Sequence, residues 1–130
     1  STLGLLRAHQ GRYAEARKLQ RRAIDGFDTL GAAAADDAAL GRFELGAIER
    51  DAGNLDLAVD LMLDADAEAR SLLPVDDARL TALSAHLAAT LALRGTPADA
   101  DTARQLLIDI QDALTTAQPE TRALAALARA

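Results

Sequence analysis

The sequence predicts an all-α fold, an array of antiparallel helix pairs forming one domain over residues 1–130, and three observations carry that expectation. Alanine and leucine, both strong helix formers, supply most of the apolar half of the 130-residue chain. Valine occurs only at Val59 and Val75, so the β-branched enrichment of strands is missing. A skeleton of small and apolar residues recurs at a spacing of 42, as Leu3, Gly4 and Gly11, then Leu45, Gly46 and Gly53, then Leu87, Ala88 and Gly95.

Taken in order, Ser1 to Gln10 reads as the tail of a helix, with Leu3, Leu6 and Gln10 on one face and Gly11 as its stop. A second helix is expected from about Tyr13 to about Leu30, burying Ala16, Leu19, Ala23, Ile24 and Phe27, with Gly31 ending it. Asp36 or Asp37 is expected to cap a third helix, which carries Leu40, Phe43, Leu45, Ala47 and Ile48 up to Gly53. Asn54 opens a fourth, with Leu57, Ala58, Leu61, Met62, Ala65 and Ala69. It ends near Leu72, because Pro74 biases Leu73 away from helix.

Asp76 is the expected cap of a fifth helix through Leu80, Leu83, Leu87, Ala88 and Leu91 to Arg94, closed by Gly95. Thr96 as cap and Pro97 at the first helical position announce a sixth, with Ala103, Leu106, Leu107, Ile110 and Leu114 along it. Ala103 rather than Ala100 aligns with Ala58, which implies about three extra residues in the Thr96 to Thr102 entry. Pro119 begins a seventh helix. The units are thus about 1–31, truncated at its start, about 36–73 and about 76–118, followed by a partial helix over 119–130.

The recurrence has a packing reason. Antiparallel helices joined by a short turn need a small residue where their backbones come closest, and Gly46 facing Ala58 meets that need. Gly4 with Ala16 and Ala88 with Ala103 are expected to repeat it. Gly11, Gly53 and Gly95 fall at the turns, where a left-handed backbone costs glycine nothing.

Charge and composition narrow the function classes. The 14 basic and 20 acidic residues leave a formal charge of −6, which disfavours direct contact with nucleic acid or an anionic membrane surface. Lys18 is the sole lysine, a compositional sign of a GC-rich bacterial genome. The absence of cysteine removes disulfides, thiolate metal sites and cysteine nucleophiles and is compatible with a reducing cytosol, so the expected location is cytoplasmic. No apolar run near 18 residues and no signal-peptide pattern is visible.

Chemistry-bearing constellations are sparse. His9 and His86 lack a partner at metal spacing. Asp60, Asp64, Asp66 and Glu68 spread over more than one helical face and lack a calcium-loop glycine. Ser71 and Ser84 sit in no nucleophile elbow, and no phosphate-cradling loop occurs. Neither catalysis nor a cofactor is expected.

The skeleton resembles the tetratricopeptide repeat, in which a leucine-glycine pair, a glycine before the second helix, an aromatic two residues later and an alanine three beyond mark each unit. Leu3, Gly4, Gly11, Tyr13, Ala16 and Ala23 match that pattern. Leu45, Gly46, Gly53, Leu55, Ala58 and Ala65 match it with leucine for the aromatic, and Leu87, Ala88, Gly95 and Ala103 remain in the third unit. The spacing of 42 is longer than the usual 34 and is similar to the long-helix variety of kinesin light chains and many bacterial regulators.

The resemblance implies a right-handed superhelical solenoid of about three repeats plus a partial terminal helix. It also implies a non-catalytic protein–protein interaction module of a larger bacterial transcriptional regulator or signalling protein, with a protein or peptide partner. In the family the first helix of each unit faces the concave side. By alignment this nominates Thr2, Leu5 and His9, then Phe43, Glu44, Ala47, Arg50 and Asp51, then Ala82, Ala85, His86 and Ala89. Phe43 would anchor an apolar side chain, Arg50 would pair with a carboxylate, and Glu44 with Asp51 would accept from a basic segment.

Two alternatives stand beside it. One is a ligand- or peptide-sensing array controlling an attached nucleotide-hydrolysing or protease-like domain. The other is a self-associating scaffold, a homo-oligomer through end helices that lack polar caps and expose Leu3, Leu6, Leu124 and Leu127.

Overall fold

A computed structural model describes residues 2–114 and 119–129, and within residues 2–8 and at 114 it describes the backbone only. The elements are α1 (Thr2–Thr29), a 3₁₀ turn at Gly31–Ala34, α2 (Ala35–Asp51), α3 (Leu55–Leu72), α4 (Ala78–Arg94), α5 (Pro97–Asp109), the one-turn α6 (Gln111–Leu114) and α7 (Pro119–Arg129). No strand occurs among the described residues, so the all-α expectation holds. The chain divides into two compact units, Ser1–Ala65 and Asp66–Ala130, and the division falls inside α3.

The first unit departs most from the sequence expectation. Two helices were expected before Gly31, yet α1 runs without interruption through Gly11. Gly31, Gly53 and Gly95 take positive φ angles of 63°, 91° and 77°, and Gly11 does not. For Gly53 and Gly95 the difference from Gly11 lies in the residues that come after them. Asn54 and the Thr96-Pro97 pair restart a helix after Gly53 and Gly95, whereas Arg12 and Tyr13 offer no capping oxygen, so helix simply continues. Along one helix, Gly4 and Ala16 are about 18 Å apart, which rules out the expected contact between them.

α2 is enclosed on two sides. Gly41 looks onto α1, where an added Cβ would lie 3.1 Å from Ile24 Cγ1. Gly46 looks onto α3, where a Cβ would lie 2.9 Å from Met62 Cγ and 3.2 Å from the Ala58 carbonyl oxygen. The expected facing of Gly46 and Ala58 is therefore present. Helical periodicity places Ala39 and Phe43 with Gly46 and Ala38 and Leu45 with Gly41, and all four are buried. Ala58, Val59, Met62 and Ala65 complete the core from α3.

Three local expectations are corrected in this unit. Neither Asp36 nor Asp37 caps α2, since the preceding 3₁₀ turn delivers Ala34 to the cap position and leaves both acids in the first turn. There they still complement the helix dipole. Leu19 and Ala23 are exposed, Leu19 at 54%. The inward side of α1 instead carries Ile24 with partly buried Tyr13, Ala16, Arg17, Gln20 and Phe27.

In the second unit α4 is the central element, packed by both α5 and α7. Leu80, Leu83, Leu87, Ala88 and Leu91 are buried along it, facing contributions that include Ala103, Leu107, Ile110 and Ala125. Ala88 and Ala103 are both buried, on helices that pack together, and α4 begins one residue later than expected, with Asp77 rather than Asp76 as cap. Asp77 accepts from the Arg79 backbone N–H at 2.9 Å. Thr96 and Pro97 start α5 as read, within a full capping box closed by Asp99. The expected sixth helix breaks at Ile110, which leaves α6 as a separate turn, and the Leu114 side chain lies outside the described residues. No helix among the described residues is long and apolar enough to cross a membrane.

Candidate functional site

The polar side chains gather in seams between helices, and each seam is built within one unit. In the first, Glu49 projects from α2 towards α1 and is 3% exposed. Arg17 donates from Nε to both Glu49 carboxylate oxygens at 2.9 Å, and its Nη2 lies 2.8 Å from Oε1. Asn54 donates from Nδ2 to Glu49 Oε1 at 3.1 Å. The Arg17 guanidinium, then the Asn54 amide and the charge of Arg21, hold the Glu49 carboxyl below its ordinary pKa against the opposing effect of burial. Arg17 is raised in turn by Glu49. A carboxylate so saturated is a clamp on helix register rather than a proton donor or acceptor.

Beside it, Gln20 donates from Nε2 to the Gly41 carbonyl at 3.0 Å and to Glu44 Oε2 at 3.1 Å. Arg50 reaches its neighbour Asp51 at 3.1 Å, with Asp51 largely exposed.

In the second unit Arg94, in the last turn of α4, grips Asp99 through two bonds of 2.7 Å. Arg94, with Thr96, lowers the Asp99 pKa to about 2. The α4–α5 turn is thus held by a guanidinium fork and a capping box acting on one carboxylate. Arg70 of α3 donates to Asp66 Oδ2 at 2.8 Å and to the buried Ser84 hydroxyl of α4. Thr90 is buried and donates to the His86 carbonyl oxygen at 2.9 Å.

The nominated groove residues divide by burial. Phe43 and Ala89 lie in the core, which withdraws the expected apolar anchor from any surface. The reason is the double enclosure of α2, which leaves it only a narrow solvent face. Glu44 and Asp51 occupy that face, with Ala47 and Arg50 partly buried at its edge. His9 is exposed on α1 and His86 is partly buried on α4. Ala82 is partly buried and Ala85 is buried. The side chains of Thr2 and Leu5 lie outside the described residues.

Among the described residues no group of histidine and acidic side chains converges as a metal site. Asp60 and Asp64 are exposed, while Asp66 turns inward to Arg70.

Sequence reasoning missed the Arg17–Glu49 and Arg94–Asp99 pairs. The second had a readable signal, since Asp99 stands three residues after the Thr96 cap. The first had none, because its partners are 32 residues apart in sequence and stand on different helices. Comparison with protein-family models, with curated proteins and with solved structures found no match to this chain.

Proposed function

We propose that this chain is a non-catalytic helical repeat module that mediates protein–protein contact within a larger bacterial regulatory or signalling protein of the cytoplasm. The observation that carries the reading is that α7 returns past α5 to pack on α4. In the expected repeat numbering both are first helices of successive units, and stacking of corresponding elements is how solenoids extend a core. Gly46 against Ala58 supports the same reading, because here a small residue of the recurring skeleton is used for close approach.

The contact surface under this reading is the solvent face of α2, presenting Glu44, Arg50 and Asp51. A combined Glu44→Lys and Arg50→Glu substitution changes two side chains outside the buried core and exchanges the sign of charge at both positions at constant net charge. Photo-cross-links placed at Ala47 should capture a partner with the parent chain and lose it with the double variant, at unchanged melting temperature. Undiminished capture by a folded double variant counts against this surface.

Self-association is a second reading, favoured by Leu19, Leu30 and Leu127, each more than half exposed. Leu127 was among the terminal leucines expected to be exposed, Leu124 is partly buried, and the side chains of Leu3 and Leu6 lie outside the described residues. Sedimentation at high concentration decides it, with a persistent monomer speaking against assembly through these side chains.

A further inference from the structure

The second unit carries an amphipathic cup that the interaction reading does not use. Arg104, Leu107 and Ile108 of α5, Gln111 of α6 and Arg129 of α7 line an open depression of about 330 Å³. Leu107 is buried and Ile108 is 56% exposed, so the lining offers apolar surface to solvent. The two arginines come from different helices, α5 and α7, and line the same depression. Arg104 also meets Asp101 at 3.1 Å, but both side chains of that pair are mostly solvent-exposed. Such a pair is weak and gives way readily to a competing anion.

We propose that this cup binds a small branched aliphatic carboxylate. The two guanidinium groups offer planar donor forks suited to a carboxylate, and Gln111 adds an amide donor. Leu107 and Ile108 supply the apolar surface that a short branched chain covers. The volume stands at the small end of ligand sites, which fits a free small acid rather than a stretch of peptide. A carboxylate held by both arginines ties the end of α7 to α5, so occupancy stabilises the docked position of α7 by mass action. This inference rests on the cup alone and stands or falls separately from the α2 contact surface.

The test is a ¹H–¹⁵N NMR titration of the 130-residue chain with 4-methylpentanoate, alongside 4-methylpentanamide and acetate. Saturable shifts confined to the amides of residues 104–111 and 126–129 are expected with the branched acid. The amide, which lacks the charge, and acetate, which lacks the branched chain, should each bind at least about tenfold more weakly. Arg129→Gln and Arg104→Gln should each weaken the acid by a similar factor without loss of helical circular dichroism. Equal binding of the amide or of acetate overturns the proposal, as do shifts centred elsewhere or undiminished binding by either folded variant. Tighter binding of an acetyl-Glu-Leu-amide peptide than of the free acid overturns the small-molecule assignment.

Discussion

Single glycines decide the local architecture, and they do so in opposite ways. Gly46 is required by space, with Met62 and the Ala58 carbonyl already closer to its would-be Cβ than ordinary contact distance. Gly46→Leu should therefore destabilise the chain by about 1–3 kcal/mol or more in chemical denaturation. Unchanged stability would mean that α2 and α3 do not approach here. Gly11 is the reverse case, in mid-helix with no atom within 4 Å of an added Cβ. Gly11→Ala should stabilise by about 0.5–1 kcal/mol, since alanine loses less backbone freedom in a helix. A helix turn at Gly11 would instead be strained by alanine, so a loss of stability would restore the two-helix reading. The Gly46 approach was legible because it repeats a pattern of small residues at fixed spacing. The Gly11 stop was misread because glycine permits a left-handed turn but does not impose one, and nothing after Gly11 restarts a helix.

Helix starts depend on where the preceding turn delivers the chain, and this separates the starts that were legible from those that were not. Thr96-Pro97 carries its own instructions and begins α5 as read. Asp36 and Asp37 carry cap chemistry as well, but the 3₁₀ turn at Gly31–Ala34 brings Ala34 to the cap position first. The α4–α5 turn adds an acid-sensitive fastening. Asp99, ordinarily near 3.8, is held at about 2, so its folded-state pKa lies below its unfolded one. The stabilisation it brings is complete above the ordinary value and is lost as pH falls through about 2. Asp99→Asn should cost about 1–3 kcal/mol at neutral pH. The gap from the parent should close between pH 4 and pH 2 in urea titrations, and a gap independent of pH would show that the Arg94–Asp99 pair contributes nothing specific.

At the scale of the whole molecule, the all-helical class and the α2–α3 and α4–α5 pairings were legible from residue usage and spacing, and the hairpin expected at Gly11 is replaced by one helix. The inner face of α1 was not legible. Arg17 and Gln20 sit there because Glu49, Glu44 and the Gly41 carbonyl satisfy them, and apolar periodicity is blind to polar residues with buried partners. Stability should be unevenly shared in the second unit, since α4 is buried along most of its length while only Ala125 of α7 is buried among the described residues. Native-state hydrogen exchange should show α7 amides opening at lower free energy than those of α4, and equal protection would make the two one cooperative block. The return of α7 to α4 also sets an order in time. α1 with α2 and α4 with α5 are partners close in sequence, the low-contact-order topology that folds in microseconds to milliseconds. α7 must wait until α5 and α6 have been made before it can reach α4. During synthesis, helices up to α5 can therefore settle as they emerge, and the docking of α7 becomes the step that waits on the ribosome.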